Sequence, residues 1–238
     1  MVLAALNGHD PADRGSIAAP FGFDAHQDLA GLRLGYLPEA FGEGATAVDH
    51  AALEAARALG LPLRAVSLPD LPYKALANAV NAEAAAQFEA LTLSDADDRL
   101  SWQETGAWPN LFRMARFLSA VDHVQLDRLR YRVMQALDAL FRDIDVLIGP
   151  FNTGPMLIAS NFTGHPCLHL RAGFLHSGTR HRGTLGARAP MIAPGPAFLV
   201  PQGISLWGRL FDEGRLCNLG MALESALGVA ARRPAFPK

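Results

Sequence analysis

The sequence predicts an α/β fold in which a mixed, mostly parallel sheet is covered by helices. Leu32–Leu37 and Leu63–Leu68 have the apolar character of strands, and Ala47–Leu59 between them places apolar residues at helical spacing. A strand, a helix and a strand within about 37 residues form a right-handed crossover, so the two strands should lie parallel. A third apolar strand, Asp145–Gly149, ends at Pro150. Each of the three strands is followed by a proline, and sites in open α/β sheets lie at such strand exits.

The remaining elements follow in chain order. Met1–Leu6 is the end of a helix, because Asn7-Gly8 is a C-terminal stop. Thr46 is the candidate N-cap and Gly60 the stop of the helix over Ala47–Leu59. Alanine-rich composition or apolar spacing predicts further helices, and apolar runs predict further strands. The helices are Leu71–Leu91, Asn110–Arg142 and Glu213–Leu227, and the strands are Leu168–Arg171, Ala197–Val200 and Ile204–Trp207.

Length alone allows one to two domains, and composition predicts a globular protein; we treat residues 1–238 as a single domain. A chain of 238 residues can bury a full hydrophobic core without disulfides or metals. The formal net charge of -2 excludes a global field that attracts nucleic acid or anionic lipid. Two cysteines, a start without a signal peptide and the lack of an apolar run of ~18 residues indicate a cytoplasmic protein without a membrane span. The polar segment from His176 to Pro196 is expected to be a mobile loop within this domain.

Three potential metal ligands, His165, Cys167 and His169, are spaced by two residues. On a regular strand they would point to the same face, as a zinc site requires. Pro166 interrupts strand pairing, and a fourth ligand is not apparent, so we expect packed side chains and no metal.

Nucleotide and nucleophile motifs are also weak. Gly42–Ala47 fits a dinucleotide-binding pattern, but Glu43 would place a carboxylate where a pyrophosphate binds, so no cofactor is predicted. There is no G-x-S-x-G motif, and the only lysines are Lys74 and Lys238. The residues therefore show no catalytic centre.

Two groups of basic residues have the composition of phosphate-binding sites. Arg128, Arg130 and Arg132 lie in a helix that also carries acidic residues. Arg180, His181, Arg182 and Arg188 lie in the polar loop. We interpret both groups as solvated faces.

Seven segments, taken in order, span nearly the whole chain. The most specific are Asn161–Pro166 and Gly203–Glu213, and the others are Val2–Asp13, Leu32–Pro38, Ala82–Ala86, Arg128–Arg132 and Asp145–Pro150. Together these segments are similar to the C-terminal half of the amidase signature family of serine amidohydrolases. The resemblance implies the C-terminal part of the amidase-signature fold. It also implies that the helix ending at Leu6 begins upstream of Met1.

The resemblance implies a Ser-cis-Ser-Lys triad, in which lysine acts through the central serine to activate the nucleophile. Those residues belong to the N-terminal half of the family, and neither Lys74 nor Lys238 matches the catalytic lysine. No catalytic residue is therefore assigned to this chain. The segment after Pro150 resembles a stretch near the substrate cleft, which makes Phe151, Asn152 and Thr153 the candidate substrate-binding residues.

The sequence thus predicts the C-terminal portion of an amidase-signature hydrolase of carboxamide C–N bonds, inactive alone. A sheet cut in half leaves an open edge and uncovered apolar faces. We therefore expect association with an N-terminal amidase half or with a second copy, and a small-molecule amide as substrate once complemented. The alternative is a non-catalytic binding module on the same scaffold. Small-amide hydrolases and the tRNA-dependent amidotransferases that act on misacylated tRNA are not distinguished by this half of the family.

Overall fold

A computed structural model describes residues 2–151, 153–177 and 197–233, which contain a five-stranded sheet of order β2-β1-β3-β5-β4. The strands are β1 (Leu34–Tyr36), β2 (Leu63–Ala65), β3 (Val146–Pro150), β4 (Cys167–Ser177) and β5 (Phe198–Gly208). β1 pairs in parallel with both β2 and β3, while β3 pairs antiparallel with β5. The predicted mixed sheet of an α/β fold is confirmed.

Helices connect these strands. They are α1 (Val2–Leu6), α2 (Ala47–Ala58), α3 (Ala77–Gln87), α4 (Glu89–Leu93), α5 (Trp108–Ala115), α6 (Ala120–Asp143), α7 (Met156–Thr163) and α8 (Glu213–Leu227). The helix predicted over Asn110–Arg142 is interrupted before Ala120. Ser119 explains the break, because its hydroxyl accepts a hydrogen bond from the backbone N–H of Asp122 at 3.0 Å and so starts a new helix.

The last third of the chain differs from the prediction in three ways. The two predicted strands at Ala197–Val200 and Ile204–Trp207 are one strand, β5. β4 extends to Ser177, so His176 belongs to a strand rather than to the predicted loop. α7 was not predicted. Residues 178–196, which make up the rest of that loop and include its basic group, lie outside the described residues.

The described chain divides into two compact units. Of the described residues, the first comprises 2–69, 135–151, 153–174 and 201–233, and the second comprises 70–134, 175–177 and 197–200. In the first unit α2 and α8 contact each other beside the sheet. Their buried apolar residues join those of the sheet in one core, which includes Leu34, Ala52, Leu53, Val146, Ile148, Leu206, Leu216 and Leu219.

Both faces of β3 are buried. Val146 and Ile148 belong to the core shared with α2 and α8, and Leu147 between them points to the opposite face, where it is also fully buried. On the neighbouring strand, a Cβ added at Gly35 would lie 2.6 Å from Ile144. This close approach explains why glycine stands in the middle of β1.

Between residues 70 and 134 the second unit is built from helices and the turns that join them, while its described residues 175–177 and 198–200 belong to β4 and β5. α3 and α5 contact each other, and Phe88 stacks on Phe112 with ring centroids 5.2 Å apart. Arg113 in α5 forms ion pairs with Asp97 at 3.0 Å and Asp98 at 2.6 Å. Among the helices of the described residues, none has the length and apolar character that crossing a membrane requires.

Candidate functional site

The candidate pocket residues follow the end of β3, where the chain turns into α7. Thr153 is fully buried, and its hydroxyl donates a hydrogen bond to the Pro150 carbonyl at 2.6 Å. A side chain at Gly149 would collide with Thr153, so the glycine makes room for this turn. Thr153 therefore fixes the backbone of the turn, while Phe151 is half exposed beside it. Asn152 lies outside the described residues.

A chain of hydrogen bonds from β4 and β5 holds the Phe151 backbone. The Ser205 hydroxyl donates to the Phe151 carbonyl at 3.3 Å, and its oxygen lies 2.7 Å from Nδ1 of His169. Because the serine proton is directed at the carbonyl, we assign the proton of His169 to Nδ1. The Phe151 ring lies 5.2 Å from the His169 ring, centroid to centroid. Backbone and ring of Phe151 are thus both held in place.

The chain of hydrogen bonds begins at Cys167. Its Sγ atom lies 3.6 Å from Nε2 of His169, which carries the free lone pair in the assigned tautomer. Cys167 is an exposed residue, but partial desolvation of its thiol raises the pKa to about 11, so the thiol is the donor in this contact. Ser205 is fully buried. The raised pKa of the Cys167 thiol and the hydrogen bond that Ser205 donates to a carbonyl differ from the activation that catalytic nucleophiles show, and the group that this cluster contacts is the Phe151 backbone.

The three potential metal ligands do not converge. His165 precedes β4 and is buried, with its Nδ1 2.8 Å from the Thr163 hydroxyl and its ring stacked on Phe141. Burial lowers the pKa of His165, an effect that the charge of Asp138 only partly opposes, which favours the neutral ring. In residues 2–151, 153–177 and 197–233, no three His, Cys, Asp or Glu side chains are gathered as metal ligands.

The structure places three residues beside the predicted pocket that sequence reasoning did not connect to it. The sequence predicts Cys167 and His169 only as potential metal ligands, and it predicts Ser205 only as part of a strand. The alternation of Cys167 and His169 along a strand indicated a shared face, but only the register of β5 brings Ser205 to them. Ser205 pairs with Gly149 across the sheet, next to the candidate turn.

Comparison with protein families gives no match to a family model. Among curated proteins, the chain is 25% identical to the A-type component of the glutamyl-tRNA(Gln) amidotransferase of Oleidesulfovibrio alaskensis, covering 95% of this chain and 53% of that protein. A shorter match of 78 residues to the corresponding protein of Deinococcus deserti reaches 42% identity. Most of these curated relatives match nearly the whole of this chain, and the chain spans about half of their length.

Solved structures give the same picture of the fold. A 6-aminohexanoate cyclic dimer hydrolase superposes with a TM-score of 0.66 at 19% identity, covering 95% of this chain and 52% of that one. A bacterial aryl acylamidase of the amidase signature enzymes superposes with a TM-score of 0.66 at 17% identity, over 96% of this chain and 52% of that one. A protein described in a vestigial complex related to an s-triazine catabolic enzyme has a TM-score of 0.62 at 22% identity, over 97% and 51%.

Proposed function

We propose that this chain, which is similar along its length to a glutamyl-tRNA(Gln) amidotransferase subunit and has the fold of amidase signature enzymes, is the C-terminal portion of a hydrolase of carboxamide C–N bonds. The observation that carries the proposal is the coverage. The match takes in 95% of this chain, while the chain accounts for 53% of the protein from Oleidesulfovibrio alaskensis. The fold agrees with that of amide hydrolases over the same share of their length.

We propose further that catalysis requires the part of the family that carries the Ser-cis-Ser-Lys triad. The polar residues at the candidate site do not replace it, because Ser205 is buried and hydrogen-bonded and the Cys167 thiol is protonated. Lys74 is exposed on a short 3₁₀ turn, Tyr73–Leu76, outside the candidate site. The chain alone would then contribute scaffold and pocket, not the nucleophile.

We propose Phe151, Asn152 and Thr153 as the part of the substrate pocket that this chain supplies. What supports the proposal is the position of the turn at the end of β3 and the half-exposed Phe151 ring. The hydrogen bonds from Ser205 and Thr153 hold the backbone that carries this ring, and the His169 ring lies beside it. An aromatic side chain beside a strand end suits the apolar part of a small amide.

The partner in this proposal is an N-terminal amidase portion. Two observations on relatives support association: the curated homologues are named as subunits, and one structural neighbour is described in a vestigial protein complex. The structure adds large exposed apolar side chains in the second unit, which include Met114, Phe117, Val121 and Val124. Exposed apolar surface of this kind marks contact sites in proteins.

The first test is the genomic DNA upstream of the Met1 codon, translated in all frames. We expect it to encode a Gly/Ser-rich segment and a catalytic lysine. Co-expression of that segment with the 238-residue chain should then release ammonia or amine from a panel of carboxamides, while the chain alone releases none above the blank. The matched control replaces the upstream lysine by alanine and should abolish turnover.

Each result is decisive for one part of the proposal. Turnover by the chain alone would contradict the need for a second portion. Saturable amide binding without turnover, even with the upstream segment present, would favour the binding module. In the active pair, Phe151→Ala should raise KM with a smaller effect on kcat, and an unchanged KM would remove Phe151 from the pocket.

A further inference from the structure

The second unit contains a groove that none of the preceding argument uses. It has a volume of about 660 Å³ and runs along α6 opposite the residues that begin α3. Ligand pockets for small molecules commonly measure roughly 300 to 1,000 Å³. The groove therefore has the capacity for a ligand of that class.

Two arginines on α6 line this groove. Arg128 and Arg132 are four residues apart, so they lie one turn apart on the same face of the helix. Within the part of the chain that the structure describes, no carboxylate lies within ion-pair distance of either guanidinium. Arg130 lies between them in sequence but differs, because its guanidinium pairs with Asp127 at 2.7 Å. Among the described residues, the two guanidinium groups at this groove thus have no ion-pair partner.

The one carboxylate in the groove lining is engaged elsewhere. Asp122 accepts a hydrogen bond from the Ser119 hydroxyl at 2.7 Å, at the start of α6. It is separated from Arg128 by six residues, which correspond to roughly 9 Å along a helix. The end of the groove near Arg128 and Arg132 is therefore positive, and the end near Asp122 repels an anion.

The remaining lining provides an apolar wall and two amides. Leu126 and Leu129 of α6 line the groove together with Pro72 and Ala75. Leu129 is buried, whereas the arginines on either side of it are exposed. Asn78 and Gln125 add side-chain amides that donate or accept hydrogen bonds.

We propose that this groove binds a small organic anion, a carboxylate or phosphate ester with an apolar body. The anionic group is held between Arg128 and Arg132, and the body lies on Leu126 and Leu129. Guanidinium groups suit both anions because their N–H groups bind oxygen pairs side by side. Binding here requires neither amide hydrolysis nor an N-terminal portion, so the two proposals stand or fall separately.

The test measures binding of 4-phenylbutyrate to the 238-residue chain by calorimetry at neutral pH and low salt. The neutral analogue 4-phenylbutan-1-ol serves as the matched probe. We expect saturable binding of the anion and at least roughly tenfold weaker binding of the alcohol, because charged hydrogen bonds contribute this much. Added salt should weaken binding of the anion and leave binding of the alcohol unchanged.

Variants identify the site. The double variant Arg128→Gln/Arg132→Gln should raise the Kd of the anion by roughly tenfold or more. Arg130→Gln is the control on the same helix and should change the Kd less than about twofold, because its guanidinium is already paired. Circular dichroism checks that each variant is folded, which is expected for exposed positions.

Three results would overturn the proposal. The first is the absence of saturable binding up to ~10 mM anion, because a Kd above that concentration is too weak for a specific site. The second is equal affinity for the anion and the alcohol. The third is an unchanged Kd in the double variant, or an equal loss in Arg130→Gln, because the anion would then bind elsewhere.

Discussion

A single carboxylate, Asp145, organises the polar residues at the start of β3. It is buried and accepts hydrogen bonds from the Arg33 backbone N–H at 2.8 Å and from the Arg33 side chain at 3.0 and 3.1 Å. The Arg209 guanidinium lies 2.8 Å away and that of Arg215 lies 3.7 Å away. Asp145 therefore ties the start of β1 to the start of β3 and to the segment before α8.

This arrangement sets the pKa of Asp145. Burial by itself would raise the pKa, but the hydrogen bonds from Arg33 and the charges of Arg209 and Arg33 outweigh it, so the pKa lies below its usual value. A carboxyl pKa that is lower in the folded state stabilises the fold at pH values above the pKa of the same group in the unfolded chain. That stability is lost as the pH falls below about 4, through the folded-state value.

We expect Asp145→Asn to lower the free energy of unfolding by roughly 2 kcal/mol at neutral pH, because the arginines lose their buried anion. The difference from the wild type should shrink as the pH falls below about 4, where the wild-type carboxyl also becomes neutral. Urea unfolding at several pH values measures both effects.

The control for this variant is Asp143→Asn. Asp143 pairs with Arg64 at 3.3 Å, but both side chains are more than half exposed. Such surface pairs contribute less than about 1 kcal/mol. An equal loss in the two variants would show that burial of Asp145 is not what makes its ion pairs strong.

Residue-level chemistry was only partly accessible from the sequence. His165, Cys167 and His169 are correctly spaced for a shared face, but His165 precedes the strand and is hydrogen-bonded to Thr163. The contact between His169 and Ser205 joins residues 36 positions apart. A contact of that kind depends on strand order, which local spacing does not encode.

At the scale of elements, α2 shows how a capping residue determines a helix. The Thr46 hydroxyl accepts a hydrogen bond from the Asp49 N–H at 3.2 Å, and the Asp49 carboxylate accepts one from the Thr46 N–H at 2.7 Å. This reciprocal pair is a capping box. The Asp49 side chain is buried, so its carboxylate needs the hydrogen bond from the Thr46 N–H to offset the loss of water.

Thr46→Ala should destabilise the protein by roughly 1 kcal/mol, because it removes the N-cap and one donor to the buried carboxylate. For a chain of this size, that loss lowers the Tm by about 2 to 4 °C. Thermal unfolding followed by circular dichroism measures it.

Thr46→Ser retains the hydroxyl and is the matched control, with an expected Tm close to that of the wild type. A Tm for Thr46→Ala within error of the serine variant would mean that α2 is held by packing alone and that the capping box is dispensable.

Helices with both end signals could be predicted closely. α8 begins and ends where the sequence predicted, and Gly228 after it adopts a left-handed conformation with φ of 64°. α7 was missed because its residues follow the turn-forming run Gly149–Pro155 and its N-cap position is Pro155, which offers no side-chain cap. Its helical state depends on burial of Met156 and Ala159 rather than on local signals.

At the scale of the whole molecule, the parallel pairing of β1 with β2 was predictable because a short crossover allows only one topology. The insertion of β5 between β3 and β4 was not, since no local feature of the chain specifies which strand follows β3. The resemblance to half of a known family likewise came from motif order along the chain, and the coverage of about half of each relative confirms it.

The exposed apolar surface of the second unit should cause self-association when no partner is present. Phe117 is 89% exposed. Phe117→Glu should weaken self-association by roughly tenfold, because burying a phenylalanine side chain contributes about 1.5 to 3 kcal/mol. Sedimentation velocity over a range of protein concentrations measures the change.

Gln135→Glu is the control, because it adds the same charge at an exposed position of α6 without removing apolar surface. Equal weakening in both variants would assign the effect to net charge. A wild-type chain that remains monomeric at every concentration would contradict the prediction itself.

The position of β5 also has a consequence for synthesis on the ribosome. β3 ends at Pro150 and pairs with the segment that begins at Ile204, so the two partners emerge about 50 residues apart. β3 and β4 therefore emerge from the ribosome before the strand that joins them has emerged. Until then the nascent chain presents the unpaired edges of both strands, and chaperone binding to it should end only when β5 has emerged.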